Sequence, residues 1–212
     1  SLDLLQKITT ADLSSMEYYH FVRHKLAGVD MVISRTGYTG ETGVELYFRS
    51  DAETGATVWS AIMQAGKPFG CVPIGLGARD TLRLEMGFCL YGQDIDKTTH
   101  PLEAGLGWLT KIEKGPFLGR EALQRIKRDG LRRKLVGFST PDRAFPRPGY
   151  MIYADGNHIG QVTSGTFSPS LEKGIGMGYV AIEHAKPGTH FEIDIRNRRT
   201  GAMAVPLPFL KK

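Results

Sequence analysis

From Leu131 onward the chain reads as strands and turns and little else. "RRKLVGF", "YMIYADGNHIGQVTSGT", "GIGMGYV" and "THFEIDIRNRRTGAMAVPLPF" are short runs of β-branched and aromatic residues separated by glycine, proline and polar turns. Phe191, Ile193 and Ile195 alternate with Glu192, Asp194 and Arg196, which places the apolar set on one face of a pleated strand. Asp155-Gly156 is a type I′ hairpin signal, because both central residues of that turn need positive φ. Such strands bury their faces by pairing with each other, so the segment predicts a small antiparallel barrel or sandwich of roughly 80 residues, large enough to fold as its own domain. The boundary is expected near 128–134, dividing the chain into 1–130 and 131–212.

The first region mixes signals. Leu2, Leu5 and Ile8 predict a short amphipathic helix over 1–16, and "MEYYHFVRHKLAGVDMVIS" predicts two hairpin strands with a turn at Gly28 to Asp30. In "SRTGYTGETGVELYF", Gly37, Gly40 and Gly43 belong to turns, while Val44, Leu46 and Phe48 alternate with Glu45, Tyr47 and Arg49. Glu45 and Tyr47 therefore share a face, either solvated or lining a pocket. Ser50 and Glu53 have capping-box spacing before a helix with the stripe Val58, Trp59, Ile62 and Met63, stopped by Gly66 and Pro68. A second helix is predicted across "IGLGARDTLRLEMGF", with Leu76, Arg79, Leu82, Arg83 and Met86 sharing faces and Arg79 half shielded. A third spans "PFLGREALQRIKRDG", with Gly130 just past its end. The fold class is α+β: an α/β region with antiparallel strands, then a small antiparallel barrel.

At 212 residues the chain exceeds the ~150-residue prior for one domain. With 41% hydrophobic and 23% charged residues it is ordinary globular protein rather than disordered chain. The formal net charge of +5 favours anionic partners. Cys71 and Cys89 lack CxxC spacing, and the six histidines form no HExxH or His/carboxylate cluster, so no disulfide framework and no metal is expected. A reducing compartment fits. No run of ~18 apolar residues and no signal segment is present, so neither membrane insertion nor secretion is indicated. The chain starts at Ser1, directly in a helical pattern, which suggests cutting or processing at its N-terminus. Gly75-Leu76-Gly77 and Gly174-Ile175-Gly176 lack the third glycine of a dinucleotide fingerprint.

Two constellations stand out. "RIKRDGLRRK", 125–134, sets six cations around one aspartate. It reads as a solvated surface or a docking patch for an acidic partner, with nucleic acid third because no aromatics are interleaved for stacking. In "GLGARDTLRLEMGFCLYGQDIDKTTHPLEAGLGWLTK", Arg79, Asp80, Arg83 and Glu85 crowd a leucine- and glycine-rich segment. Structural ion pairing accounts for part of this. A pocket accounts for the rest if Arg79 meets Glu45 and Tyr38, Tyr47, Phe88 and Trp108 surround a flat ligand.

"RTGYTGETGVELY", "GLGARDTLRLEMGFCLYGQDIDKTTHPLEAGLGW", "FLGREAL" and "GQVTSGTFSPSLEKGIGMGYV" resemble, in order, signature stretches of the aminomethyltransferase or T-protein family of the glycine cleavage system. The resemblance runs end to end but covers roughly the C-terminal 60% of that family's chain, so the folate-binding region in 1–130 is expected to be incomplete. It implies an enzyme that takes the aminomethyl group from the lipoyl arm of H-protein, releases ammonia and makes 5,10-methylenetetrahydrofolate, with tetrahydrofolate as co-substrate and no metal. The pterin-binding glutamate then matches Glu45, the folate-contacting arginine Arg79, and the tyrosine of the GYTGE turn Tyr38. Tyr18, Tyr19 and Trp108 match pocket aromatics, Tyr47 lines the same pocket, and Phe88 stands where some relatives carry tyrosine. The family's catalytic aspartate falls before Ser1, so no catalytic residue is assigned and the 212 residues alone are expected to be inactive. The implied location is the cytoplasm of a bacterium, or the mitochondrial matrix of a eukaryote. The alternatives are another folate-dependent demethylase of the same fold, a non-catalytic folate-binding paralogue and, least favoured, a basic nucleic-acid-binding module. The Lys-Gly-Cys-Tyr motif of the iron-sulfur-assembly relatives has no match at Cys71 or Cys89.

Overall fold

The computed structural model describes residues 1–49, 51–141 and 144–211. The chain forms two compact units, Ser1–Arg79 and Asp80–Lys212.

In the first unit, strands β1 (Phe21–Leu26) and β2 (Val29–Ser34) form a hairpin, and β3 (Glu45–Tyr47) adds to β2, all antiparallel. The hairpin turns through Ala27 and Gly28, with φ of 52° and 80°. This is the positive-φ pair of a type I′ turn, so the turn lies earlier than the predicted Gly28 to Asp30, and Asp30 instead pairs with Lys25 inside the ladder. Leu26, Met31 and Ile33 form one core with Leu4, Leu5, Leu13, Met16 and Val58, and Val44, Leu46 and Phe48 pack against it.

The predicted helix over 1–16 shrinks to α1, Leu2–Leu5. Gln6 then bonds the backbone of Thr9, Ala11 and Leu13, and Asp12 Oδ1 accepts from Ser14 and Ser15. Polar side chains that supply the backbone with local partners compete with continued helix. Helix α2 runs Ala52–Gly66 and is capped by Asp51, whose carboxylate accepts from Thr54 N at 2.7 Å. The predicted cap Ser50 lies outside the described residues. The apolar stripe is narrower than the sequence indicates, since Val58 is buried but Trp59 is exposed. Gly66 is required by packing, because a Cβ there would sit 2.4 Å from Cys71 Cβ.

The division between the units falls within helix α3, Leu76–Glu85. Its first residue, Leu76, is 82% exposed, whereas Arg83, Leu84 and Glu85 are buried. Arg83 bonds Asp94 at 2.8 Å, Asp80 at 2.6 Å, Ser164 Oγ at 2.8 Å and the Phe88 carbonyl at 3.1 Å. Glu85 accepts from Ser168 and Ser170. Structural ion pairing therefore accounts for Arg83, held by Asp80 and Asp94, while Glu85 is buried against two serine hydroxyls, since a buried polar group needs hydrogen-bond partners.

Helix α4 (Arg120–Asp129) ends at Gly130, φ 82°. Strands β4 (Arg133–Ser139), β5 (Met151–Ala154), β6 (Asn157–Ser168), β7 (Lys173–Ala181), β8 (His190–Ile195) and β9 (Arg198–Val205) close a barrel in the order β4-β7-β6-β5-β8-β9. Asp155 and Gly156, φ 50° and 79°, make the β5–β6 turn. Val136, Phe138, Ile152, Val162, Val180, Phe191 and Ile193 fill the interior, while Leu84, Leu135, Ile175, Met177 and Tyr179 form a separate cluster. The architecture is α+β, a small three-stranded sheet with helices and a closed six-stranded antiparallel barrel, as the sequence indicates.

Candidate functional site

The register of the three-stranded sheet decides which side chains share its outer face. Phe21 pairs with Ser34 and Ser34 with Glu45; Arg23 pairs with Val32 and Val32 with Tyr47. Cross-strand partners project to one side, so Phe21, Ser34, Glu45 and Tyr47 lie together opposite the core-facing Ile33 and Leu46. The Tyr47 hydroxyl donates to Glu45 Oε2 at 3.1 Å, and the Thr36 hydroxyl donates to the same oxygen in a short bond. Thr36 Oγ1 also lies 3.0 Å from Ser34 Oγ. Among the described residues Glu45 Oε1 has no protein partner. The hydrogen bond to Glu45, then burial and the Glu45 charge, hold the Tyr47 phenol above its ordinary pKa.

Tyr18 and Tyr19 stack at 4.3 Å between centroids, tilted by 54°. Tyr19 has φ 67°, and its N–H donates to the Arg35 carbonyl at 3.0 Å while Arg35 N–H donates to the His20 carbonyl at 2.8 Å. Burial, then Tyr19 and the Glu45 charge, raise the Tyr18 phenol. Arg79 does not reach Glu45. Its guanidinium lies over the Tyr38 ring, 4.6 Å from the centroid, a cation–π contact that needs no carboxylate. Among the described residues no ion pair joins Arg79 to Glu45, and Arg79 is exposed rather than half shielded.

Phe88 and Trp108 belong to the second unit. Both line a cavity of about 540 Å³ with Cys89, Leu135 and Leu207. Trp108, 68% exposed, also walls a cavity of about 850 Å³ with Leu102, Ile112, Ile126 and Leu131. Burial, and then the Asp94 charge, push the Cys89 thiol up to about 11, so it is not a reactive thiolate at neutral pH. Among the described residues no group of three or more His, Cys, Asp or Glu side chains is placed to hold a metal ion.

Sequence reasoning missed Thr36, Ser34 and Phe21 on the Glu45 face. It also missed Arg35, whose Nε and Nη1 are buried without a hydrogen-bond partner among the described residues. The parity of the strand offered a signal for Phe21 and Ser34; the reach of a threonine side chain across a turn offered none. Within the basic run, Arg133 is engaged: it makes a two-point bond to Glu103 at 2.9 and 3.1 Å and lies over the Tyr179 ring at 4.6 Å. Burial alone would raise the Glu103 carboxyl, but the Arg133 bond and charge together with the His100 N–H and charge outweigh it and keep Glu103 below its ordinary value. Arg125, Lys127, Arg128 and Arg132 are exposed.

Residues 1–114 match the family model described as GCVT N-terminal domain, and residues 133–211 match the glycine cleavage T-protein C-terminal barrel domain. The chain belongs to the glycine cleavage T-protein family. An aminomethyltransferase of Halothermothrix orenii is 52% identical over 210 residues, 99% of this chain and 58% of the relative. One from Phocaeicola vulgatus is 53% identical over 214 residues, 100% of this chain and 59% of the relative. The crystal structure of the glycine cleavage system aminomethyltransferase T from Bartonella henselae superposes with a TM-score of 0.87 at 30% identity, over 98% of this chain and 56% of that one. The chain thus spans somewhat under three fifths of the length of these relatives.

Proposed function

We propose that the protein carrying this chain is the aminomethyltransferase of glycine cleavage, moving the aminomethyl carbon from the lipoyl arm of H-protein to tetrahydrofolate and releasing ammonia. The observation that carries this reading is Glu45, an exposed carboxylate on a sheet face with one oxygen held by Thr36 and Tyr47 and the other without a protein partner among the described residues. A pterin presents adjacent N–H donors on a flat ring, and a carboxylate accepts such a pair in the geometry it also offers a guanidinium. Tyr47 and Phe21 supply ring surface beside it, and Tyr18, Tyr19, Tyr38 and Arg79 extend the aromatic and cationic character of the unit. These residues bind and orient; the acid-base work on the departing ammonia is assigned to none of them. Relatives from bacteria support a cytoplasmic reading.

Glu45→Ala in the complete protein is expected to raise the tetrahydrofolate Kd by about 30-fold or more, because pterin donors then lose an ionic acceptor while remaining partly desolvated. A Kd equal to wild type would leave Glu45 as a wet strand residue and remove the main support for folate.

The basic run is assigned to docking of H-protein, taken as an acidic partner. Since Arg133 is committed to Glu103, the docking cations are the exposed Arg125, Lys127, Arg128 and Arg132. Arg128→Glu combined with Arg132→Glu should weaken H-protein association several-fold at low ionic strength and flatten its salt dependence, with folate affinity unchanged. Association insensitive to both charge reversals in surface-binding measurements returns the run to a solvated face.

A further inference from the structure

We propose that Thr36 is a positioning residue for Glu45, fixing Oε2 so that Oε1 is left for a ligand donor, and that the Tyr47 hydroxyl is a placeholder which a second ligand donor displaces. The inference rests on the folate reading of Glu45 and adds how that carboxylate is prepared.

Ser34 lies directly opposite Glu45 in the ladder. Thr36 Oγ1 is within hydrogen-bond distance of both Ser34 Oγ, at 3.0 Å, and Glu45 Oε2. A hydroxyl has one proton, and an ionised carboxylate only accepts. The Thr36 proton therefore goes to Glu45, and Ser34 donates to Thr36. Tyr47 contributes a second donor to Oε2 at 3.1 Å. Two donors fill the lone-pair sites of Oε2, while Oε1 has both of its own open among the described residues.

An aminopyrimidinone edge brings two adjacent donors, one for each carboxylate oxygen. Oε1 accepts the first without rearrangement. The second needs a site on Oε2, so one of the resident donors must leave. Tyr47 makes the longer bond, from a ring 56% exposed whose hydroxyl can turn to water. Thr36 makes the shorter bond, is β-branched and stiff at χ1, and is backed by Ser34. Tyr47 yields and Thr36 stays, so the two hydroxyls act with opposite signs on affinity.

The test is tetrahydrofolate titration of the complete protein by calorimetry. Thr36→Val should raise Kd about tenfold, as loss of a hydrogen bond to a charged group does, and Thr36→Ser should restore it to within about twofold. Tyr47→Phe, which keeps the ring, should leave Kd unchanged or lower. In a Glu45→Gln background Thr36→Val should add nothing, because it acts only through the carboxylate. If Glu45→Gln weakens binding while Thr36→Val does not, or if Thr36→Val costs as much in the Glu45→Gln background, the positioning role is wrong. A tenfold loss in Tyr47→Phe overturns the placeholder. A Glu45→Gln variant with wild-type affinity overturns the folate reading itself, and this inference with it.

Discussion

Arg83→Met is expected to lower the unfolding free energy by about 3–5 kcal/mol, the range for breaking a buried ion pair by removing one partner. The Arg83 and Asp94 side chains are 1% and 0% exposed and joined at 2.8 Å. Methionine fills much of the space but leaves Asp94 as a buried charge whose other donors, Ser164, Thr163 and the Leu90 N–H, are all neutral. The loss should appear as a lower urea midpoint with an unchanged slope. Adding Asp94→Asn removes the stranded charge while keeping a polar group among those donors, so the double variant should regain about half of the loss. A single variant within about 1 kcal/mol of wild type would show that Asp94 finds another counter-charge or water, and that the cluster does not tie α3 to the barrel strand carrying Ser164.

Gly160→Ala should be the most damaging single methyl group in the barrel, at about 3 kcal/mol or more. Gly160 faces Val180 across the β6–β7 ladder, and a Cβ would stand 1.9 Å from the Tyr179 carbonyl oxygen and 2.9 Å from Val180 Cα. Neither neighbour is the movable end of a side chain, so the strands would have to separate and give up ladder bonds. Gly201→Ala on β9 is the control, because nothing lies within 4 Å of a Cβ there; it should stay within about 0.5 kcal/mol. Thermal unfolding of the two variants compares them directly, and equal midpoints would mean that the barrel absorbs the methyl by shifting β6.

What the sequence by itself determined is what depends on neighbours in the chain. Asp155-Gly156 reports its hairpin because positive φ is a property of those two residues. The alternation through Phe191 and Ile193 reports an inside and an outside because the strand period is two. Gly130 reports the end of α4 for the same local reason. Four ordered motifs carried the family, and with it the candidate role of Glu45.

The tertiary structure decided the partners. Arg79, Arg83 and Glu85 look alike as charges on one predicted helix, yet Arg79 stacks on Tyr38 while Arg83 and Glu85 are buried among groups 11 to 85 residues away. Helical spacing gives a direction around an axis and says nothing of what lies there. Arg133 reads as one more cation in a basic run until Glu103, 30 residues earlier, is found bonded to it. The helix over 1–16 failed because Gln6 and Asp12 offered the backbone closer partners than the next turn, a competition between local terms too similar in size for propensity to settle. Thr36 owes its place to the register that sets Ser34 against Glu45. A ladder slipped by one residue would turn Glu45 toward the core and leave the same sequence without this site.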